Sequence, residues 1–140
     1  MYLPTQKLAG RSTDAAAITA NTTLAADTAL SVPVLAGTVV HFRAVIHATS
    51  PAIADVKVGL VAPEGSTCVW FLSSAPSAPV AVDGTVSLLT DGAREVFEVT
   101  GVLTVGAESG DFGLSFAQLA SDAGNTIIHA GSHVVAVNLD

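Results

Sequence analysis

Side chains alternate at period two along most of this chain, and no stretch sustains the 3.6-residue period of an amphipathic helix. In residues 38–48, Val40, Phe42, Ala44 and Ile46 fall on one side, with Val39, His41, Arg43, Val45 and His47 on the other. In residues 110–118, Phe112, Leu114 and Phe116 share one side and Gly113, Ser115 and Ala117 the opposite one. Near the end, His133, Val135, Val137 and Leu139 alternate with Val134, Ala136 and Asn138. Successive side chains of a strand point to opposite faces, so each segment reads as a half-buried antiparallel strand. The last thirty residues hold two of the seven aromatics, Phe112 and Phe116, and read as a hairpin carrying much of the bulky core. Burying each such side chain stabilises the fold by roughly 1.5–3 kcal/mol.

Further strands are expected over residues 30–34, 55–61, 86–88 and 94–105, with Val56, Val58 and Leu60 inward in the second. A weaker one is expected over residues 16–24, where Thr19, Thr22 and Thr23 favour extended chain over the helical turn that the alanines allow. Residues 67–72 (TCVWFL) form a short continuous apolar run, the pattern of a strand buried on both sides. Gly101 marks a bulge or a close approach inside its strand. Turn chemistry separates the runs: Ala36-Gly37, Ser50-Pro51, Ala62-Pro63-Glu64-Gly65, Asp83-Gly84 and Asp91-Gly92. About eight strands at regular spacing predict an all-β fold, an antiparallel two-sheet β-sandwich of jelly-roll-like type, with a barrel as the alternative. The sandwich is expected to span residues 12–140, preceded by an extended N-terminal arm over residues 1–11, where Pro4 breaks regular structure and Gly10 marks a joint. Tyr2, Leu3, Lys7, Leu8 and Arg11 are the candidate interface residues of that arm, docking on a neighbouring subunit or, equally, on their own domain.

At 140 residues the chain is long enough to bury one core. Twelve acids against five scattered bases give a net charge of −7, which disfavours nucleic-acid binding, because phosphate contacts need clustered Lys or Arg. The single Cys68 excludes an internal disulfide and fits synthesis in a reducing cytoplasm. Residues 1–10 lack the apolar core of a signal peptide, and no apolar run approaches a membrane span.

The candidates for chemistry are thin. His41 and His47 share a strand face but sit about 20 Å apart along it, and His129 and His133 flank a Gly-containing turn, so neither pair offers converging metal ligands. Cys68 sits in a buried-looking strand, where a thiol behaves as a small hydrophobe. Glu95 and Glu98 fall on opposite faces and cannot work as paired carboxylates. Asp122 and Asn125 lack the acidic ladder of a calcium loop and read as a polar turn. Trp70, between Val69 and Phe71, reads as core. No catalytic, cofactor-binding or metal-binding residue is assigned, and the chain is not expected to be an enzyme.

Five segments carry a resemblance: TTL at residues 22–24, LSVPVLAGTVVHFRA at 30–44, DVKVGLVAP at 55–63, FEVTGVLTVGAESGDFGLSFAQ at 97–118 and GNTIIHAGSHVVAV at 124–137. Together they resemble small β-sandwich virion proteins of tailed bacteriophages, over about four fifths of the chain. The resemblance implies a capsid decoration or minor capsid protein, made in the host bacterial cytoplasm and placed on the capsid surface of the virion. Its implied partners are the major capsid protein and copies of itself in a homotrimer, with no cofactor. The alternative it allows is a tail-fibre or spike domain that recognises host surface glycan through loops such as 73–79 and 121–125.

Overall fold

The computed structural model describes residues 6–139, so the expected contacts of Tyr2 and Leu3 lie outside the described residues. Ten strands build two antiparallel sheets: β1 (Gln6–Gly10), β2 (Ala25–Val34), β3 (Val39–Thr49), β4 (Val56–Val61), β5 (Thr67–Leu72), β6 (Val86–Leu88), β7 (Glu95–Thr104), β8 (Gly110–Gln118), β9 (Ile127–Ile128) and β10 (His133–Asn138). The larger sheet runs β1-β10-β3-β7-β5, with β9 paired to the end of β3. The smaller runs β2-β8-β4-β6. From β1 to β8 successive strands alternate between the sheets, which gives the antiparallel two-sheet sandwich that the turn spacing predicts.

The alternation in β3 predicts its burial directly: Val40, Phe42, Ala44, Ile46 and Ala48 are buried and face the smaller sheet. Across the gap Phe112, Leu114 and Phe116 of β8 and Val56 and Val58 of β4 meet them. The Phe42 and Phe112 ring centroids lie 4.6 Å apart, tilted by 52°, within the range in which aromatic pairs attract. Gly101 of β7 is paired with Phe42 on one side and Trp70 on the other. A Cβ there would come within 2.5 Å of Trp70 Cβ and 2.8 Å of Phe42 Cζ, so close packing, not a bulge, explains this glycine.

Four sequence expectations are corrected. The C-terminal hairpin does not form: β8 pairs with β2 and β4, whereas β10 pairs with β1 and β3 in the other sheet. Both runs alternate equally well, and alternation carries no information about which strands are neighbours. Residues 16–24 form no strand; only Ile18 makes an isolated bridge, to Thr126. This segment is a strap that leaves the larger sheet by Ala15 N–H to Ile128 O and Ala20 N–H to Asp122 O, then crosses the smaller one. Lys57 Nζ holds it through Thr22 O, and Leu24 fills the space above Gly59, whereas Gly113 is required by the close approach of Leu30 O and Ser31 on β2. Strand β5 is an edge strand with one buried side, Cys68 and Trp70, and Val69 outward at 60% exposure, not a strand enclosed on both faces. Finally, the described part of the N-terminal arm belongs to the sandwich: Gln6–Gly10 pairs with β10 over five residues. Its backbone groups find partners there that an arm laid across a neighbour's side chains would lack.

Gly101→Ala is expected to destabilise the fold by about 1–3 kcal/mol, the usual cost of overpacking. A urea titration checks this as a lower midpoint at unchanged slope. A Gly59→Ala substitution, opposed by the movable end of Leu24, is expected to cost less.

Candidate functional site

Of the five residues expected at an interface, three are described, and they part ways. Lys7 Nζ donates to Pro33 O at 2.6 Å, closing the open side of the sandwich between β1 and β2. Arg11 Nη1 lies 3.2 Å from Asp27 Oδ1, and both side chains are largely buried, so this pair ties the end of β1 to β2. Leu8 points outward and is 68% exposed.

Leu8 is one corner of a wider surface. Cross-strand register carries it to Val135, Arg43, Thr100 and Phe71 in a single row across five strands. The adjacent row runs Gln6, Val137, His41, Val102 and Val69. On the far side of the first row lie His133, Val45 and Glu98, with His47 and Val96 beyond. Val69 is 60% exposed, Val96 59% and Val102 40%, and Val45, Val135, Val137 and Phe71 are half-buried. The two charges, Arg43 Nε and Glu98 Oε1, lie 3.3 Å apart and neutralise each other. This outer face of the larger sheet is therefore broad and without net charge, its valines interleaved with Arg43, Glu98, Thr100 and histidines. Sequence reasoning assigned its strand faces correctly but took Leu8 alone as contact surface. The missed signal was valine on both parities of β7 and β10, since a sheet with one face in water alternates apolar with polar.

The histidines gather near one end of this face without converging on an ion site. His129 Nε2 lies 2.6 Å from Thr49 Oγ1, and its Nδ1 faces Asp14 Oδ2 at 3.2 Å, an ion-pair distance rather than an aligned hydrogen bond. His133 Nδ1 is 2.9 Å from the Gly131 carbonyl, and His47 packs against Gly131 in the same turn. His41 stands apart, 3.4 Å from Thr100 Oγ1. Among the described residues, no three His, Cys, Asp or Glu side chains are arranged to hold a metal ion. Burial pushes the His47 imidazole below its ordinary value, and Arg94, His133 and His129 add to the shift. The Asp14 carboxyl is held below the usual range, first by the Ala130 N–H and then by His129. Burial alone pushes the Cys68 thiol up to about 12, so it stays protonated at neutral pH.

At the opposite parity Gln118, fully buried, knits the loops together. Its Oε1 accepts from Asn21 N and Asp122 N, and its Nε2 donates to Ile18 O, Gly124 O and Thr126 Oγ1. Asp122 Oδ2 accepts from Gly124 N in the same turn, the polar role expected for it. Trp70 is fully buried and its Nε1 donates to Ala81 O.

No protein-family model matches this sequence, and no curated protein matches it. Among solved structures, the chain is similar to the tripod (BppUct-A-L) from the baseplate of bacteriophage Tuc2009. The TM-score is 0.44 and the identity 8%, over 96% of this chain and 64% of that one. It is also similar to a chain in the structure of infectious bursal disease virus, Gx strain. There the TM-score is 0.33 and the identity 8%, over 99% of this chain and 42% of that one. This chain thus spans less than two thirds of either, and at TM-scores below 0.5 neither likeness carries an argument about role.

Two outcomes are expected here. Because the folded value of His47 lies below its unfolded one, its neutral form is favoured in the fold. Its contribution is complete above about pH 6.5 and is lost as pH falls from there through the folded value. His47→Gln should flatten the stability-against-pH curve in that window, measured by thermal midpoints at intervals from pH 7.5 to 5. Gln118→Ala should cost about 1–3 kcal/mol for the buried groups it leaves unpaired, with faster amide exchange at Asn21 and Asp122.

Proposed function

We propose that this chain is a structural virion protein of a tailed bacteriophage, a capsid decoration protein that binds the outside of the head and stabilises the major capsid lattice. It performs no reaction and takes no cofactor. The sequence resemblance over residues 22–137 supports this reading, as does a sandwich whose tightly packed small and apolar residues leave rigid outward faces. The observation that carries it is the outer face of the larger sheet, where Leu8, Val69, Val96 and Val102 are exposed around one neutralised charge pair. A surface of that kind is built for contact, since singly scattered apolar residues are ordinary but a contiguous field of them marks an interaction site. On a symmetric shell many copies engage together, so modest contacts per copy suffice through multivalency.

A glycan-binding spike would instead need flat aromatic faces in its loops. Trp70, Phe42, Phe112 and Phe116 are buried in the core, and loops 73–79 and 121–125 contain no aromatic residue. Gel densitometry of purified virions against the major capsid protein tests the proposal. A decoration protein is expected on the order of hundreds of copies per particle, and a few copies would overturn it in favour of the spike. On this reading Tyr2, Leu3 and Leu8 clamp the chain onto a neighbour, as the sequence expectation for the arm has it. Deleting residues 1–5 is expected to lower occupancy and heat resistance of the head while leaving β1 in place. Deleting residues 1–10 would also remove the pairing with β10 and so confound the two effects.

A further inference from the structure

We infer that the outer face of the larger sheet is covered in solution by the same face of a second copy of this chain, in a two-fold pair. This goes beyond the proposed function and departs from the homotrimer that the sequence resemblance implies. The charge distribution argues for the occupant. The chain carries −7 overall, yet this face carries only Arg43 and Glu98, which cancel, so the whole net charge lies elsewhere on the molecule. Two copies of an acidic chain repel through most approaches, and this face lets them meet without opposing like charges.

Arg43 and Glu98 are also self-complementary. They sit diagonally on neighbouring strands, half-exposed, so a two-fold axis between them sets each arginine towards the partner copy's carboxylate. The size reaches the lower end of the range for stable interfaces. Five strands spaced about 4.8 Å apart, with rises of about 3.4 Å per residue, give a projected area of about 600 Å² before side-chain relief is added. A standard stable interface hides about 800 Å² per partner. The apolar run of β5 fits the same picture. Its pattern is that of a strand buried on both faces, yet among the described residues Val69 is exposed and Phe71 only half-buried. Two such faces stacked about 10 Å apart would bury Val45, Val69, Val96, Val102, Val135 and Val137 as a second core.

Sedimentation velocity over roughly 1–100 μM, spanning the usual range of specific association, reads the outcome on the full chain. The wild type is expected at twice 14.0 kDa. Combined Val69→Glu and Val102→Glu is expected to weaken pairing by about 100-fold, like charges facing each other across the axis. The two positions pair across β5 and β7, so the glutamates also lower the thermal midpoint, and a β-sheet circular dichroism spectrum like that of the wild type is the check that the variant stays folded. Arg43→Glu alone should weaken pairing, and Arg43→Glu with Glu98→Arg should restore it, which a folding defect would not. Ile53→Glu, exposed but off this face, is the control expected to change nothing. A monomeric wild type, a mass of three copies, or a Val69/Val102 variant that stays paired overturns the inference. Association seen only when purified capsids are added would assign the face to the shell and overturn it too. The functional reading fails differently, by low copy number in virions, so a paired protein absent from particles and a monomer abundant on them are separate results.

Discussion

Gly101 permits the core to exist in its present form. It is the one position on β7 where the flanking strands bring an aromatic from each side, Phe42 and Trp70, and the space of the missing side chain is taken by Trp70 Cβ, Val69 O and the tip of the Phe42 ring. Phe42 then reaches Phe112 across the interior and links the two layers through one ring pair. The aromatics are few, so most of the remaining core is Val, Leu and Ala, and the layers are held at their spacing by this cluster. Trp70 also needs a partner for its indole N–H, and Ala81 O supplies it from the loop beyond β5. A buried indole left unpaired would cost about 1–3 kcal/mol.

The two sheets share few direct backbone ties, so the connections between them matter as much as the strands. The strap of residues 12–24 leaves the larger sheet, passes Gln118, and lies over the small residues of the other layer. Gln118 satisfies both oxygen and nitrogen of its amide against four loop positions and Thr126, fixing where the strap crosses. Because the strap covers the outside of β4 and β8, the smaller sheet is closed on both faces. The larger sheet has no such cover among the described residues. That asymmetry, one sheet wrapped by its own chain and the other left bare, turns a folding device into a functional surface.

Electrostatics reinforce the same division. Arg11–Asp27, Lys7–Pro33 and Lys57–Thr22 spend three of five bases on internal ties, and Arg94 donates to Ala130 O. Arg43 remains on the bare face with Glu98 beside it. Acids crowd the loops and strand ends, where solvent and salt screen their repulsion. The imidazoles of His47, His129 and His133 sit at the margin of the face, where burial first and then Arg94, His133 and His129 push His47 below its ordinary value.

Local alternation was enough to place most strands, because burial of every second residue is a property of a segment by itself. It identified Phe42, Val99 and Leu103 as core, Trp70 as core rather than platform, and Cys68 as an inert buried thiol. Pairing was beyond it, since β8 and β10 look like a hairpin in sequence and end in different sheets. The strap was misread as a strand because its threonines favour extended chain whether or not a partner strand is present. Gln6–Gly10 looked like an arm because a short edge strand carries little pattern of its own. The exposed field from Leu8 to Val69 was the least legible, for it is assembled from single residues of five strands distant in the chain. Period two determines which way a side chain points; only the register between strands decides what stands beside it.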